Sequence, residues 1–560
     1  MRKSLKASVV ALMAVAGLSL SACGGGGNQG GDSGEAISHD QVADYAQTSR
    51  DQVKDGGELN LPIVELSEQQ LPFNADGTAY STTIWSLYNP QLALFSPDGK
   101  YTPNDDYLTK VEDKTENGKT VVTYTIRDEA KYNDGTPIDW KAFENTWRFN
   151  NGEMKDVVPN STDGYKLIES VKAGANDKQA VVTFKQAYPW WMGLFDKLLP
   201  PQVNSADLFN NGYLKKTHPE WGAGPYKLES ADFNTSTVTF VRNDKWWGEP
   251  AKLDRIVYRG MEDSASINAF RAGEIDAVTA GTKDRLETVR GMGDKAEIRI
   301  GKVPFSSLLT LNSQAGPLKD DKVREAVMSA IDRSKLAEIR FNGLNYSEEL
   351  PGSFTLYSVQ DGYEDNFGKV VSYDVDKAKS LLDEAGWKEG ADGIRTKDGQ
   401  PLVLRYTLLG DSPLFKGIAA AQQQMLREVG IDMQINERPS SDFSKVSKER
   451  DFDLFPMGFS STDPYGVAYF DQTYNSKSEL NKSGTGSPEF DKKIEELTKI
   501  SDPDEQIKKA NELEQDAFKF HGIMPLFNGP QIVAVKPGLV NYGPKMFGII
   551  KVQDIGWKAD

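Results

Sequence analysis

The hydrophobic pattern of this chain changes period several times, and this alternation limits the folds that it can adopt. The segments TVVTYTI (120–126) and LVLRYTL (402–408) alternate apolar and polar residues and are rich in β-branched and aromatic side chains, which predicts strands. The segment 320–336 is apolar on one helical face, and another helical segment begins at Asp374 and ends at Gly386. Strands that alternate with helices in this way predict a mixed α/β fold.

The chain contains 560 residues and one cysteine, Cys23, so no internal disulfide can form. A chain of this length is expected to form two to four domains. It is also long enough to bury a large hydrophobic core without disulfides. Their absence therefore does not argue against a location outside the cytoplasm.

The N-terminus is typical of an exported protein. The positively charged start MRKSLK and the apolar run ASVVALMAVAGLSLSA predict a signal peptide over residues 1–22. The motif LSAC, which ends at Cys23, resembles the lipobox of bacterial lipoproteins, and this implies cleavage before Cys23 and lipidation of its thiol. The alternative is an ordinary signal peptide with an incidental cysteine. Residues 23–56 are therefore expected to form a lipidated cysteine and a flexible, Gly-rich tether.

The charge of the chain argues against nucleic acid as a partner. There are 82 acidic and 65 basic residues, a formal net charge of −17, whereas phosphate backbones select surfaces rich in Lys and Arg. After the signal peptide, no apolar run is long enough to span a membrane, which takes roughly 20 residues.

The sequence offers no positive case for an enzyme, a cofactor or a metal site. The three histidines, His39, His218 and His521, lie in no nucleophile or metal-binding motif. A glycosidase needs two carboxylates, but adjacent acids such as Asp105 and Asp106 are expected by chance in so acidic a chain.

Two tryptophan pairs, Trp190–Trp191 and Trp246–Trp247, allow two interpretations. Each pair either packs in a core or forms the wall of a ligand cleft, because rigid aromatic side chains supply contact area at low entropic cost.

The segment TYTIRDEAKYNDGTPIDWKAFENTWRF (123–149) resembles a strand, turn and helix of the family 5 extracellular solute-binding proteins, the oligopeptide and dipeptide receptors of ABC importers. Six further blocks resemble this family in the same order: GAGPYKL (222–228), VRNDKWWGEPAKLDRIVYR (241–259), FRAGEIDAV (270–278), LNSQAGPLKDDKVREAVMSAIDRSKL (311–336), YDVDKAKSLLDEAGW (373–387) and RDFDLFPMGFSSTDP (450–464). The resemblance extends from about residue 57 to the end of the chain.

The resemblance implies an α/β, two-lobe fold of the periplasmic-binding-protein kind, in its large type II form, with an extra domain inserted in the first lobe. The first lobe is expected over 57–100, 215–305 and 526–560, the inserted domain over 101–214, and the second lobe over 306–525. Such lobes hold a ligand between them and close by a hinge motion.

Three residues match positions that the family places at its ligand. Asn312 matches an Asn that contacts the ligand backbone, Glu65 lies where the first strand meets the cleft, and Phe459 stands where a Trp is common.

The loop GFSSTDP leaves two alternatives open. Peptide-binding members of the family place an Asp shortly after that Trp, where it pairs with the α-ammonium of the peptide. Asp463 is that residue in the first alternative. The loop is shorter than the usual form, so in the second alternative Asp463 matches only a later Asp-Pro, and Ser460 or Ser461 faces the ligand.

The resemblance therefore implies a monomeric, lipid-anchored receptor outside the cytoplasm, which carries out no chemistry and needs no cofactor. It would capture peptides and deliver them to the permease and ATPase subunits of an ABC importer. One alternative is a receptor for an oligosaccharide or a glycolipid-type ligand. Another is an accessory protein of the cell envelope that uses the same fold without import.

Overall fold

The first sheet joins strands that are far apart in the sequence. In the computed structural model, which describes residues 41–559, the strand order is Glu58–Ile63, Arg255–Gly260, Thr237–Arg242 and Tyr226–Asp232. The first pair is parallel and the other two are antiparallel. Alternate residues of the third strand, Val238 and Phe240, are buried in one core with the helix Ala79–Tyr88. This alternation is the pattern of a strand with one face in a core.

A second sheet brings in the C-terminal part of the chain. Its antiparallel strands are, in order, Ala277–Thr279, Gln531–Val535 and Glu297–Gly301. We call these two sheets and the helices packed on them the first lobe.

The five-stranded sheet forms the centre of what we call the second lobe. Its strand order is Asp432–Arg438, Val403–Leu409, Leu454–Ser460, Phe305–Leu311 and Ile523–Phe527. The first two strands are parallel, and the fourth is antiparallel to both of its neighbours. The predicted strand 402–408 is confirmed with a shift of one residue.

A separate antiparallel sheet forms what we call the inserted domain. Its strand order is Leu108–Glu116, Lys119–Ile126, Gln179–Phe184 and Ile168–Ala173. The predicted strand 120–126 is confirmed, and its residues Val122, Tyr124 and Ile126 lie in the core of this domain with Phe143 of the following helix. Shorter strands pair as Ala93–Phe95 with Tyr101–Pro103, as Leu539–Val540 with Gly556–Trp557, and as Lys388–Glu389, Arg395–Lys397 and Gln400–Pro401.

Of the two helical segments predicted from the sequence, 374–386 is confirmed as one helix and 320–336 is not. The bounds of the helices are Ala79–Tyr88, Trp140–Asn150, Ala206–Asn211, Asp263–Ala272, Lys283–Arg290, Asp321–Ala330, Arg333–Phe341, Val375–Glu384, Pro413–Glu428, Phe443–Glu449, Phe470–Tyr474, Pro488–Leu497 and Pro503–Phe518. Asp374 caps its helix by accepting a hydrogen bond from the backbone N–H of Lys377. Segment 320–336 contains two helices instead of the single helix predicted. Asp332 caps the second helix by accepting hydrogen bonds from the backbone N–H groups of Ser334 and Lys335.

Two short crossings connect the lobes. Residues 302–304 lead from the strand Glu297–Gly301 into the second-lobe sheet, and residues 528–530 lead back out of it. The mixed α/β class is confirmed. The domain limits given above stay a prediction, and both crossings lie close to the predicted limits at 305 and 526.

The first described residues pack on the first lobe. The N–H of Asp44 donates to the carbonyl of Pro544 (2.8 Å), and the N–H of Lys302 donates to the carbonyl of Val42 (2.9 Å). Tyr45 and Val53 are buried. The structure therefore differs from the predicted tether over its last part, because these apolar side chains are removed from water. The predicted signal peptide and Cys23 lie outside the described residues.

One glycine allows a close backbone approach in the second lobe. A Cβ at Gly466 would lie 1.9 Å from the carbonyl oxygen of Thr355. We expect Gly466→Ala to lower the free energy of unfolding by about 1–3 kcal/mol, as overpacked sites do. The measurement is urea unfolding followed by fluorescence.

The matched control is Gly417→Ala on the exposed side of the helix Pro413–Glu428, where an added Cβ meets nothing within 4 Å. Here we expect a gain of up to about 1 kcal/mol, because Ala favours a helix over Gly. Equal effects of the two substitutions would contradict the close approach at Gly466.

Candidate functional site

The candidate site is the cleft where the first lobe meets the second. The loop after strand Glu58–Ile63 carries Glu65 to the helix Phe443–Glu449, where the hydroxyl of Ser444 donates to Glu65 Oε1. One turn further along this helix, Lys448 forms a salt bridge with Asp76. These contacts hold the described structure in a form in which the two lobes touch.

Glu65 is a buried acid whose two carboxylate oxygens differ in their hydrogen bonding. It is 4% exposed, and its Oε2 atom has no hydrogen-bond partner among the described residues. Burial raises the pKa of Glu65 to about 7, and the hydrogen bond from Ser444 only partly offsets this effect. The carboxyl group therefore keeps its proton to a higher pH than a carboxyl group in water does.

Strand Leu454–Ser460 has one paired and one open edge. Along its whole length it pairs with Phe305–Leu311, so that Ser460 lies opposite Phe305. On its other edge the only pairing described is between Leu454 and Tyr406. Among residues 41–559, the backbone from 455 to 460 thus has an edge free of strand partners. An open edge of this kind is a place where an extended chain can add as a further strand.

The side chains at the end of this strand differ in exposure. The Phe459 ring is half-buried and meets Phe354 edge-on, with 6.4 Å between ring centroids. Ser460 is exposed. The N–H of Ser461 donates to the carbonyl of Pro304 (2.8 Å) in the first crossing, and its hydroxyl lies 3.1 Å from that of Tyr357. This end of the strand is therefore tied to the first crossing between the lobes.

Asp463 is held by its own loop. It is 4% exposed, and its carboxylate accepts from the N–H of Tyr465 (2.8 Å) and from the hydroxyl of Tyr469 (2.5 Å). Burial raises the pKa of Asp463 to about 6, and these two hydrogen bonds act in the opposite direction. Its contacts are those of a residue that shapes the loop. A role towards an α-ammonium group stays a prediction.

Asn312 lies at the other end of the strand pair from Ser460. Its Nδ2 donates to the carbonyl of Phe452 (3.0 Å), and its Oδ1 accepts from the N–H of Gln314 (3.1 Å). It follows Leu311, which pairs with Leu454, so it stands at the opposite end of the strand from Ser460. At about 3.3 Å per residue this separation is roughly 20 Å. The structure does not bring Asn312 to the same place as Ser460, and its ligand contact stays a prediction.

The inserted domain also touches the second lobe. Lys166 forms a salt bridge with Asp471 (2.7 Å), and Asp163 accepts from the N–H of Gln472 (2.8 Å). The indole N–H of Trp190 donates to Gln506 Oε1 (2.6 Å). The cleft is therefore bounded by three parts of the protein.

A cavity of about 580 Å³ opens beside this contact. Its lining residues come from the N-terminal segment, the loop before the strand Tyr101–Pro103, the inserted domain, the second lobe and the C-terminal segment. They are Val42, Pro97, Asp98, Trp190, Leu356, Val359, Gln360, Asp361, Pro464, Tyr465, Gly466, Val467, Ile507, Met546 and Phe547. Its size is within the range of small-molecule sites. The two residues of the pair Trp190–Trp191 differ in their surroundings. Trp191 packs in the core of the inserted domain, whereas Trp190 lines this cavity.

Sequence reasoning missed the residues that hold the site together. Ser444, Tyr469 and Gln506 lie in segments without a recognisable motif, and only the fold places them against Glu65, Asp463 and Trp190.

Comparison with known proteins identifies the family. Residues 102–481 match the bacterial extracellular solute-binding proteins, family 5 middle. The oligopeptide-binding protein OppA of Mycobacterium tuberculosis is 32% identical over 510 residues, which are 90% of this chain and 85% of that protein. The chain belongs to the family 5 extracellular solute-binding proteins. Members of this family are binding proteins that act outside the cytoplasm.

Solved structures confirm the two-lobe fold. The periplasmic EDTA-binding protein EppA has a TM-score of 0.78 at 24% identity and covers 93% of this chain and 100% of its own. The oligopeptide-binding protein AppA of Bacillus subtilis, solved with a nonapeptide, has a TM-score of 0.76 at 19% identity and covers 91% and 100%. Since one of these proteins is named for EDTA and the other holds a peptide, the shared fold does not specify the ligand.

Two further features of the described part of the chain bear on the site. Within residues 41–559, no group of three or more His, Cys, Asp or Glu side chains is placed to hold a metal ion. No helix in that range is long and apolar enough to cross a membrane.

The raised pKa of Glu65 predicts a pH dependence of stability. The unfolded chain loses this proton near pH 4.5, whereas the folded protein keeps it to about pH 7, so the free energy of unfolding falls as the pH rises through this window. Glu65 accounts for a decrease of about 3 kcal/mol in the free energy of unfolding over this window. Glu65→Gln should lack it, so the variant should gain stability relative to wild type between pH 4.5 and pH 8 in urea unfolding.

The control is Glu389→Gln, which changes an exposed acid that lies at the end of the strand Lys388–Glu389 and does not act on Glu65. Its stability relative to wild type should be the same at both pH values. If Glu65→Gln behaves like this control, Glu65 does not titrate in the window.

Proposed function

We propose that this protein is the peptide receptor of an ABC importer. The observation that carries the proposal is the open edge of strand Leu454–Ser460, which ends beside the first crossing between the lobes. A peptide added along this edge would gain main-chain hydrogen bonds that do not depend on its sequence, with side-chain pockets adding selectivity.

The relatives support this ligand class. The M. tuberculosis relative is named an oligopeptide-binding protein, and the B. subtilis neighbour was solved with a nonapeptide. Ligand capture would close the lobes by a rotation about the crossings 302–304 and 528–530. Delivery of the peptide to the permease and ATPase subunits would follow from the closed form.

Asp463 acts in this proposal as a positioning residue. Because its carboxylate is already bonded to Tyr465 and Tyr469, it keeps Ser460 and Ser461 in place at the end of the open edge. These serines and Phe459 then face the ligand, together with Glu65 on the opposite lobe.

Lipid attachment at Cys23 would hold the receptor at the membrane. Two or more acyl chains anchor a protein stably, and a tether raises its effective concentration near a membrane partner. The LSAC motif supports this part of the proposal.

The test of the ligand class combines two measurements. Mass spectrometry of the purified protein should detect bound peptides. Calorimetry with one of those peptides, free and N-acetylated, then compares wild type with Asp463→Asn. We expect the substitution to weaken both forms by the same factor, within about threefold, because effects at uncoupled groups add to within ~0.5 kcal/mol.

Asp398→Asn, an exposed acid elsewhere in the second lobe, is the control and should change neither affinity. If Asp463→Asn lowers the affinity for the free peptide by about 30-fold or more and leaves that for the N-acetylated peptide unchanged, Asp463 pairs with the α-ammonium group. Breaking a buried charge pair costs about 2–5 kcal/mol. A sugar or glycolipid in place of peptides would overturn the peptide proposal.

The anchor has a separate test. We expect Cys23→Ala to abolish lipid attachment, because the substitution removes the thiol, and to shift the protein from the membrane to the soluble fraction. Metabolic labelling with a fatty acid and fractionation measure both effects, with Ser21→Ala as a control that keeps the thiol. A Cys23→Ala protein that is still labelled and membrane-bound would contradict the proposal.

A further inference from the structure

The walls of the 580 Å³ cavity are aromatic and well supported. The Trp190 ring lies 5.8 Å from that of Tyr465, and Tyr465 in turn meets Phe95 edge-on at 6.1 Å. Across the cavity, the Phe547 ring is braced by Tyr357 at 5.9 Å. Rings held by neighbouring rings present their faces and edges with little loss of conformational entropy on binding.

Part of the lining is aliphatic, and we call this part the aliphatic floor. Leu356 and Val467 in it are buried, and Ile507 completes it. Val359, also on the lining, is 41% exposed. An occupant with an apolar stem would remove this surface from water.

The charges on the lining all have one sign. Asp98 and Asp361 are both exposed at its edge, and no Lys, Arg or His is among the lining residues. The hydrogen bond from the Ser96 hydroxyl lowers the pKa of Asp98, so this carboxylate is charged at neutral pH. The cavity thus combines an apolar interior with an anionic rim.

The cavity lies next to the proposed ligand edge. Pro464 and Tyr465 line it and follow directly after Asp463, and Gln360 donates to the carbonyl of Pro464 (2.8 Å). A chain that runs along strand Leu454–Ser460 towards the hinge would bring a side chain to this opening.

The geometry points to a subsite for a long basic side chain of the ligand, a lysine or an arginine, whose stem crosses the aliphatic floor and whose cationic head reaches Asp98 and Asp361. This inference rests on the peptide-receptor function proposed above. Long basic side chains bury their methylene groups and keep the charge at the rim, and a cation near the faces of Trp, Tyr or Phe is further attracted by the rings.

The experiment compares lysine with norleucine, which has the same unbranched stem without the ammonium group. The probes are penta-alanine and ten variants in which one alanine at a time is replaced by Lys or by norleucine. Calorimetry should find one position at which Lys binds about three- to tenfold more tightly than norleucine, the sum expected for solvent-exposed ion pairs and a cation–π contact.

The double variant Asp98→Asn/Asp361→Asn should reduce this preference to less than twofold and leave the affinity for the norleucine peptide unchanged. The control is Asp113→Asn/Asp294→Asn, which removes the same net charge from exposed positions outside the cavity and should keep the preference.

The outcomes separate this inference from the function on which it rests. Peptides that bind with norleucine equal to or better than lysine at every position would overturn the basic subsite and leave the peptide receptor standing. The same holds if the lysine preference survives the double variant. Failure of all eleven peptides to bind would overturn the peptide receptor itself, and the basic subsite with it.

Discussion

The hydrogen bonding of strand Phe305–Leu311 on both edges is the constraint on which the hinge and the candidate site depend. It pairs with Leu454–Ser460 on one side and with Ile523–Phe527 on the other. Both crossings between the lobes leave from this group of three strands, so a rotation of the lobes turns about the ends of neighbouring strands. The open edge ends beside that axis, and a ligand bound there would touch a part of the second lobe that moves little.

Three buried acids lie where the second lobe meets the first lobe and the inserted domain, and the cost of burying their charge opposes closure. Burial raises the pKa of Glu65 to about 7 and that of Asp463 to about 6, and burial beside the Asp471 carboxylate also raises the pKa of Asp163. Removing a carboxylate from water is costly unless it is fully hydrogen-bonded, so the empty receptor gains little from bringing these surfaces together. Ligand contacts would then supply the free energy that decides between the open and closed forms.

Local signals predicted most of the fold, and distant contacts account for what was missed. The strand at 402–408 and the cap at Asp374 follow from periodicity and side-chain chemistry within a few residues. The break at Asp332 carried a capping signal, but the apolar face continued to Ile331 and favoured one helix. The partners of the site lie hundreds of residues apart, as Glu65 and Ser444 do, and no local pattern records such a pair.

The packing of the first described residues has a mechanical consequence. Val42 and Asp44 are hydrogen-bonded to residues of the first lobe and of its C-terminal segment, beside one crossing rather than on the far side of it. A pull on the chain at residue 41 is therefore borne by the first lobe. In the closure proposed above, the second lobe would then move relative to a first lobe that is held in place at this end of the chain.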